Sequence, residues 1–302
     1  MTAADESGAA PTAPFVEHRS LLFTVAYEML GSAADAEDVV QETWLRWSAR
    51  SAEAGAEEVH DPRAYLVRIA TRQALNRLRT QQRRRETYVG PWLPEPLLTA
   101  PDVAEDVELA DSVSTAVLLV LETLGPTERA VFVLREVFDL PFGEIAQAVG
   151  KSPAAVRQIA HRARSHVHAR RPRQDVTAAE RDRVIERFMA AAATGDLQSL
   201  MDVLAPDVVL VSDGGGQKKA ALRPIHGRDK VLRFLAATSQ NQGTIAAGVL
   251  MVNGGPALAL SIDGELDTVA TFVIEDGVVT ELYLLRNPEK LGRLGQVVDL
   301  TR

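Results

Sequence analysis

Apolar residues recur at helical spacing in the first half of the chain and at strand spacing near its end. The first pattern predicts helices over 15–30, 32–47, 107–124 and 127–138, and one that begins at Asp61 and runs past Arg79. Further helices are predicted over 177–193, 196–204 and 228–238. Strands are predicted over 208–211, 244–252, 257–262, 268–275 and 278–285. The pattern therefore indicates two all-α helical domains followed by an α+β domain with an antiparallel sheet.

Residues 141–173 carry the pattern of two helices joined by a tight turn. The apolar face of the first helix is formed by Phe142, Ile145, Ala146 and Val149. Gly150 follows where a left-handed C-terminal cap is needed, and Ser152 with Pro153 is typical of the start of the next helix. The apolar face of that helix is formed by Val156, Ile159, Ala160, Ala163 and Val167. This spacing predicts a helix-turn-helix.

The opposite face of the second helix is polar and positively charged. Residues 145–174 contain seven lysines and arginines and no acid. The small side chain of Ala154 near the N-terminus would let the helix enter a major groove. We predict base contacts by Gln158, His161 and Arg162. We predict phosphate contacts by Lys151, Arg157 and Arg164. The alternative is an ordinary helical hairpin with a solvated face, but such faces normally mix both signs of charge.

Charge is distributed unevenly along this acidic chain of 302 residues. It has 33 basic and 41 acidic residues and a net charge of -8, which argues against a protein that coats nucleic acid indiscriminately. Residues 63–85 contain eight arginines and no acid, whereas residues 86–128 contain nine acids and no lysine or arginine. Two basic modules are therefore predicted on either side of an acidic connector.

Other features of the composition narrow the class of protein. The chain has no cysteine, which excludes disulfides and thiolate metal sites. Residues 1–14 lack the basic start and the apolar run of a signal peptide, and the apolar run at 116–121 is too short to span a bilayer. We therefore predict a cytoplasmic protein with no membrane partner and with a disordered N-terminus over 1–14.

Two helices before the connector carry candidate binding surfaces. The outer face of the helix that ends near Trp47 is formed by Asp35, Asp38, Gln41, Glu42 and Leu45. A leucine among acids indicates a partner surface, although solvation of the acids explains the pattern equally well. One stripe of the next helix holds Arg68, Arg72, Asn76 and Arg79. This stripe predicts contacts with nucleic acid, and solvated arginines are the alternative.

These segments resemble regions 2 and 4 of a bacterial sigma factor of the extracytoplasmic-function type. Residues 35–47 (DAEDVVQETWLRW) are similar to the segment that binds the clamp helices of the largest subunit of core RNA polymerase. Residues 61–79 resemble the helix that engages the -10 element, and residues 140–167 resemble the helix-turn-helix that recognises the -35 element. The resemblance implies core RNA polymerase and promoter DNA as partners.

This resemblance also assigns roles to the candidate residues. It implies core binding by Asp35, Asp38, Gln41, Glu42 and Leu45, and contact with the -10 element by Arg68, Arg72, Asn76 and Arg79. It implies contact with the -35 element by Lys151, Ala154, Arg157, Gln158, His161, Arg162 and Arg164. The loop over 51–60 is the candidate pocket for a flipped base. The chain itself would not be an enzyme, because the polymerase performs the nucleotidyl transfer.

The remainder resembles the SnoaL-like cone, with a curved sheet, that is fused to one group of these sigma factors. That group has three motifs, which are found here as WLPEP at 92–96, DGGG at 213–216 and NPEKL at 287–291. Two positions depart from the group's pattern, since Gln217 stands before Lys218 and Glu289 replaces an aspartate. The resemblance implies a regulatory domain that replaces a separate anti-sigma protein. Its predicted contact residues are Trp92, Leu93, Pro94, Asp213, Gly214, Asn287, Pro288 and Lys290.

The predicted boundaries place a region 2-like domain at 15–86, a proline-rich acidic linker at 87–106, a region 4-like domain at 107–173 and a SnoaL-like domain at 174–302. The apolar WLPEPLL segment of the linker is expected to dock on a neighbouring domain. Neither a cofactor nor a metal site is predicted. Asp213 and His226 are the candidate acid–base pair of a fused cyclase or isomerase. Such an enzyme and a ligand-sensing helix-turn-helix regulator remain alternatives, and a small-molecule ligand of the SnoaL-like domain remains open.

Overall fold

A computed structural model describes residues 12–53, 59–100, 103, 106–171, 176–239, 243–295, 297–298 and 300–301. The first domain consists of α1 (Thr12–Leu30), α2 (Ala33–Ser51) and α3 (Pro62–Arg85). Every residue of α1 from 21 to 30 is buried, so this helix lies in the middle of the domain. Ser32 begins α2 by accepting a hydrogen bond from the N–H of Asp35.

The second domain is helical throughout. It contains α4 (Val107–Ser112), α5 (Thr115–Glu122), α6 (Pro126–Phe132), a π-helical turn (Val133–Val137), α7 (Phe142–Val149) and α8 (Pro153–His168). The single helix predicted over 107–124 is wrong. The chain breaks at Ser114, whose hydroxyl accepts a hydrogen bond from the N–H of Val117 and caps a new helix.

The third domain packs helices against one face of a sheet. The helices are α9 (Ala178–Thr194), α10 (Leu197–Val203), α11 (Arg228–Ser239) and the short α12 (Pro288–Leu291). The strands are β2 (Leu204–Asp213), β3 (Ile225–His226), β4 (Ile245–Val252), β5 (Gly255–Ile262), β6 (Glu265–Glu275) and β7 (Val278–Leu285). The predicted strands are therefore present, and β3 is an addition.

The sheet is mixed, whereas the sequence pattern predicts an antiparallel one. Strands β4 to β7 form an antiparallel meander, but β2 pairs in parallel with β7, from Val209↔Glu281 to Asp213↔Leu285. Parallel neighbours need a long connection, and here α11 and four further strands lie between the two in sequence. Periodicity alone does not show which strands become neighbours.

The linker is part of this sheet. Its residues 98–99 form β1 (Leu98–Thr99), which pairs antiparallel with β4 and in parallel with β8 (Val297–Val298). Leu93 and Leu97 are almost fully buried. The expected docking of the WLPEPLL segment is thus confirmed, and its partner is the C-terminal domain.

Three apolar cores position the domains. One runs through both helical domains and also takes in Leu300, from the end of the chain. A second fills the space between the sheet and α9 to α11. The third lies on the other face of the sheet and includes Leu93, Ala116 and Leu291. The sheet is therefore covered on both faces, once by its own helices and once by the linker and the second domain.

Two remaining expectations concern the N-terminus and membranes. Residues 12–14 belong to the first turn of α1, so the disorder predicted over 1–14 is wrong for these three residues, and residues 1–11 lie outside the described part. Among the helices that the structure describes, none has the length and apolar character needed to cross a membrane.

Candidate nucleic-acid interface and interdomain contact

Helix α8 presents its basic face to solvent. Gly150 ends α7 with a φ of 67°, and Ser152 begins α8 by accepting a hydrogen bond of 3.2 Å from the N–H of Ala155. The five apolar positions predicted for this helix are all buried. The seven residues predicted to contact the -35 element are all exposed: Lys151, Ala154, Arg157, Gln158, His161, Arg162 and Arg164. The surface thus has the form that the sequence predicts.

Arg164 differs from the other cations of α8 because it is paired with an acid. Its guanidinium donates two hydrogen bonds of 2.7 Å to the carboxylate of Glu136, and these bonds raise the pKa of Arg164. In the described part of the chain, Lys151 and Arg157 have no ion-pair partner. A phosphate contact by Arg164 would require its ion pair to open, whereas Lys151 and Arg157 are available as they stand.

Two acids of α2 form hydrogen bonds or ion pairs with α3 of the same domain. Asp35 accepts hydrogen bonds from Arg77 at 3.0 Å and from Gln81 at 2.6 Å. Asp38 lies 3.1 Å from the same guanidinium of Arg77. These contacts hold α2 against α3, so both acids have a structural role besides any role in binding a partner.

The rest of the predicted core-binding face is open. Gln41 is exposed, and the half-buried Glu42 forms an ion pair of 3.0 Å with Arg46 on the same helix. Leu45 is 56% exposed, so this apolar residue is accessible on the same face as the acids. The exposed surface of α2 is therefore centred on Gln41, Glu42 and Leu45.

The arginine stripe of α3 faces the helix-turn-helix. Arg72 donates a hydrogen bond of 3.0 Å to the main-chain carbonyl of Gln147 in α7, and Arg68 donates one of 3.4 Å to its side-chain oxygen. Asn76 and Arg79 are exposed, and the guanidinium of Arg79 donates a hydrogen bond of 3.4 Å to Oδ1 of Asn76. Helix α7 therefore contacts two of the four residues predicted to engage the -10 element, and Arg72 remains exposed. Half of the predicted base pocket over 51–60, residues 54–58, lies outside the described part.

Asp213, at the end of β2, is completely buried and accepts hydrogen bonds from four groups. Its Oδ1 accepts from the hydroxyl of Tyr88 at 2.6 Å and from the N–H of Gly215 at 3.0 Å. Its Oδ2 accepts from the N–H of Leu93 at 2.9 Å and from Nζ of Lys290 at 2.7 Å. The three sequence motifs thus meet at one carboxylate.

Lys290 is the cationic partner in this contact and is only 6% exposed. Its Nζ also donates a hydrogen bond of 2.5 Å to the carbonyl of Leu93 and lies 4.3 Å from the centre of the Trp92 ring and 5.1 Å from that of Tyr88. Burial lowers the pKa of Lys290 to about 8, and the neighbouring Asp213 opposes this effect. Carboxylate, carbonyl and two aromatic faces together hold the buried ammonium.

Asn287 extends the contact, and the two departures from the family pattern lie beside it. Asn287 donates a hydrogen bond of 2.8 Å to the hydroxyl of Tyr88 and caps α12 through the N–H of Glu289. Gln217 donates a hydrogen bond of 2.7 Å to the carboxylate of Glu289. The two residues that depart from the family pattern therefore contact each other.

The remaining predicted contact residues have other positions. Pro94 is buried in the linker, but Pro288 is exposed at the first position of α12. Gly214 packs within its own loop, because a Cβ there would lie 2.2 Å from the carbonyl oxygen of Lys218. Gly214 and Pro288 thus shape the loop and the helix, and their neighbours Asp213 and Asn287 make the contacts with the linker.

A second polar contact between domains is not predicted by the sequence. The hydroxyl of Tyr27 donates a hydrogen bond of 2.7 Å to the carbonyl of Glu95 and accepts one of 2.9 Å from the side chain of Asn253. Burial raises the pKa of Tyr27. The carboxylate of Glu95 accepts from the hydroxyl of Ser32 at 3.1 Å. Asn253 precedes Gly254 and is typical of a hairpin turn, and that local signal conceals its second role.

A buried polar cluster joins the two helical domains. Glu28 is fully buried, and its Oε1 accepts a hydrogen bond of 2.7 Å from the hydroxyl of Ser112. Burial raises the pKa of Glu28 to about 8. Arg129 donates to the main-chain carbonyl of Glu28 at 2.9 Å and to Glu122 at 2.5 Å, and burial lowers its pKa to about 9.

The candidate acid–base pair of the third domain is not assembled. His226 is exposed and lies opposite Val209 in the sheet, whereas Asp213 is four residues further along β2. A strand rises about 3.3 Å per residue, so roughly 13 Å separate the two positions. Both oxygens of the Asp213 carboxylate also accept two hydrogen bonds each from other groups.

Comparison with known proteins agrees with this division of the chain. Sigma-70 region 2 matches residues 15–84, Sigma-70 region 4 matches residues 114–167, and the SnoaL-like domain family matches residues 185–282. The chain belongs to the extracytoplasmic-function sigma factors of RNA polymerase, with a SnoaL-like C-terminal domain, and it directs transcription.

Two relatives cover nearly the whole chain. The chain is 38% identical to the ECF RNA polymerase sigma factor SigJ of Mycobacterium tuberculosis, over 90% of each protein. It is 32% identical to the probable sigma factor SigI of the same species, over 92% of this chain and 93% of the relative. The crystal structure of M. tuberculosis SigJ superposes with a TM-score of 0.75 at 35% identity and covers 94% of this chain and 99% of that chain.

The recognition surface of α8 yields a prediction with two classes of variant. Arg162→Ala or Gln158→Ala should relax sequence preference at one or two -35 positions. The loss of binding free energy should be about 1 to 3 kcal/mol for a good base contact. Lys151→Ala should weaken binding to all sequences alike and reduce the salt dependence by roughly one released ion. Binding titrations on -35 variants at several salt concentrations distinguish the two. Identical behaviour of both classes would show that base and phosphate contacts are exchanged in this assignment.

Proposed function

We propose that this sigma factor recognises the -10 element through α3 and the -35 element through α8, and that its C-terminal domain regulates this activity in place of a separate anti-sigma protein. The observation that supports the proposal is the contact of Arg68 and Arg72 with Gln147. Residues assigned to one promoter element are thereby bonded to the domain that reads the other. The described arrangement is then a closed state.

Promoter geometry explains why this closed state would be inactive. The two elements lie at separate positions along the duplex, so α3 and α8 must move apart to contact both. While α7 lies on α3, Arg68 and Arg72 donate to Gln147 and not to DNA. Opening this contact breaks two hydrogen bonds on the protein surface, each worth about 1 kcal/mol, and it also separates parts of the apolar core that runs through both helical domains. A bias from a contact with another domain therefore helps to set the balance.

In our proposal that bias comes from the contact of Asp213 with Leu93 and Lys290, which we call the motif contact. Both main-chain polar groups of Leu93 are occupied, its N–H by Asp213 and its carbonyl by Lys290. The linker is thereby held at one place on the C-terminal domain, and the separation of the two DNA-binding domains is fixed with it. Because the regulator is covalently attached, even a modest contact is formed at high effective concentration.

The same proposal assigns the remaining surfaces. Gln41, Glu42 and Leu45, together with Asp35 and Asp38, form the surface for core polymerase. The protein acts where the polymerase is, in the cytoplasm. The C-terminal domain has a regulatory and not a catalytic task, in keeping with the separation of His226 from Asp213.

Transcription with purified core polymerase tests the regulatory role. A chain that ends at Leu285 lacks Lys290 and β8, and we expect it to give more transcript than the full chain on a library of promoters. A chain that ends before Asp175 lacks the whole domain and should give less transcript if that domain also supports the active arrangement. If both shortened chains transcribed like the full chain on several promoters, the regulatory role would be wrong.

The core-binding surface yields a separate prediction. Asp38→Lys with Glu42→Lys should abolish co-purification with core polymerase, because an acidic face suited to a basic groove becomes basic. The ion pairs lost with Arg77 and Arg46 are exposed and contribute at most about 1 kcal/mol each, so the fold should persist. Glu37→Lys is the matched control, since Glu37 lies on the same helix and the change breaks its exposed ion pair of 2.8 Å with Arg19 of α1. Undiminished co-purification of the double variant would refute the assignment.

A further inference from the structure

Strand β4 has an open edge along most of its length. The sheet ends on each side in a two-residue strand, β3 or β8, and short strands leave little edge for another chain to pair with. Strand β4 is eight residues long, but on the side away from β5 it meets β1 only at the pair Leu98↔Val252. Within the described part of the chain, residues 245–249 therefore have a neighbouring strand on one side only.

The side chains of this segment are also uncovered. All five residues are exposed, so both faces of the strand meet solvent, and Ile245 and Val249 are 47% and 52% exposed. A Cβ on Gly248 would meet no atom within 4 Å. The whole strand, IAAGVLMV, contains neither a charged residue nor a proline, and it pairs with β5 without a register shift. Charges, prolines or bulges normally protect exposed edges, so this edge has the properties of a strand that pairs with another chain.

The hairpin geometry shows which backbone groups of β4 face the open side. Val252 and Gly255 are joined by a two-residue turn, and residues in these positions exchange hydrogen bonds across a hairpin. Bonded and non-bonded positions alternate along an antiparallel strand, so the N–H and C=O groups of residues 245, 247 and 249 point away from β5. The N–H of Asn253 points to the same side and donates a hydrogen bond of 2.9 Å to the carbonyl of Leu97 in the linker. This side of β4 therefore accepts an extended chain where one is within reach.

The open segment is complementary to itself. In an antiparallel pair centred on Ala247, Ile245 of one chain lies opposite Val249 of the other, and the outward backbone groups at 245, 247 and 249 all find partners. Each large exposed side chain then meets another β-branched apolar side chain, which is a favourable cross-strand pair. A two-fold axis repeats this pair at both ends, as a closed dimer requires. Because the strand is uncharged, a second copy also brings no unpaired charge into the contact.

We propose that β4 pairs with β4 of a second copy of this chain, antiparallel and centred on Ala247, so that the two sheets join into one. Five paired residues span about 17 Å, so the interface is small and belongs to the weak class that buries less than about 1,200 Å². The dimer is therefore in equilibrium with the monomer and forms as the protein concentration rises. This pairing does not depend on the regulatory role proposed above.

Charge substitutions at the two opposed positions test the pairing and its register. Ile245→Lys with Val249→Lys sets lysines opposite each other at both ends, so it should weaken dimerisation at least about tenfold. Ile245→Lys with Val249→Glu is the matched variant, and it sets a lysine opposite a glutamate. It should dimerise at least about tenfold more tightly than the variant with two lysines. Within one strand the two positions are about 13 Å apart, so this rescue cannot come from a contact inside one chain.

Sedimentation equilibrium of the full chain measures the dissociation constant, and thermal melting checks that each variant is folded. Hydrogen exchange adds a readout by position, because only the amides of residues 245, 247 and 249 should gain protection as the concentration rises. A chain that stays monomeric up to about 1 mM would overturn the proposal. Equal dimerisation of the two charged variants would also overturn it, since the contact would then lie elsewhere or belong to a strand of another protein. Either result would leave the transcription experiment on the shortened chains unaffected.

Discussion

Lys290→Met should destabilise the contact between the linker and the C-terminal domain by about 3 to 5 kcal/mol, because it leaves the carboxylate of Asp213 buried without its cation. Asp213 is fully buried, so water cannot replace the ammonium group without opening the contact. We expect a lower melting temperature and faster hydrogen exchange over residues 88–95. Transcription should rise in parallel if the closed state is inactive.

Two further variants make this prediction specific. Lys218→Met removes an ion pair of 3.0 Å with Asp267 in which the lysine side chain is 47% exposed, and it should cost at most about 1 kcal/mol. Asp213→Asn combined with Lys290→Met leaves no buried charge and should recover part of the loss, because the amide oxygen still accepts from the neighbouring N–H groups. A Lys290→Met protein as stable as the Lys218→Met protein would contradict the role given to the contact.

The stability of the full chain should fall as pH rises from about 5 to about 8, and Glu28 should be the main cause. The pKa of Glu28 is about 8 in the folded chain and 4.5 in the unfolded chain. Between these values the folded chain holds a proton that the unfolded chain has lost, so raising the pH favours unfolding. This stabilisation is fully present below pH 4.5 and is lost as pH passes through 8. The two pKa values differ by the equivalent of about 5 kcal/mol.

Glu28→Gln should remove most of this pH dependence, since the amide keeps an acceptor for Ser112 and does not titrate. The neighbouring Arg129, with a pKa of about 9, keeps its charge throughout this range. Lys290, with a pKa lowered to about 8, acts in the opposite direction and above this range, because there the unfolded chain binds the extra proton. Urea midpoints at pH 5 and pH 8 measure the effect, with the surface variant Glu37→Gln as control. Equal pH dependence in Glu28→Gln and in the control would exclude Glu28 as the cause.

The helix-turn-helix could be predicted from the sequence because its determinants are local. Gly150, Ser152 and Pro153 each act on the backbone within a few residues, and the apolar spacing fixes the buried face. The strands of the meander follow from the same kind of signal. In the third domain, the turn at Asp276 and Gly277 has the positive φ angles that this residue pair favours.

What could not be predicted depends on residues far apart in the chain. Asn253 bonds to Tyr27 across 226 positions, and no periodicity indicates such a pair. Gly254 has a φ of 72°, which is typical of glycine in a turn and is a local feature. A Cβ there would also lie 2.5 Å from the Cα of Ala110 in the second domain, which the local sequence does not indicate. The parallel pairing of β2 with β7 and the pairing of the linker strand β1 with β4 also join segments that are far apart in the chain. The three motifs around Asp213 are evident from their resemblance to the family's motifs. Only the folded structure shows that they meet at one carboxylate.

The long separation within the motif contact also has a consequence for the newly made protein. Leu93 and Lys290 are 197 positions apart, so the linker leaves the ribosome well before the lysine that holds it. Synthesis at about 5 to 20 residues per second puts this delay at roughly 10 to 40 s. In the later part of that interval both DNA-binding domains are complete, whereas α12 and β8, which contact the linker, have not been translated. Each newly made molecule therefore passes through a period in which both DNA-binding domains are present but the contact between Leu93 and Lys290 has not formed.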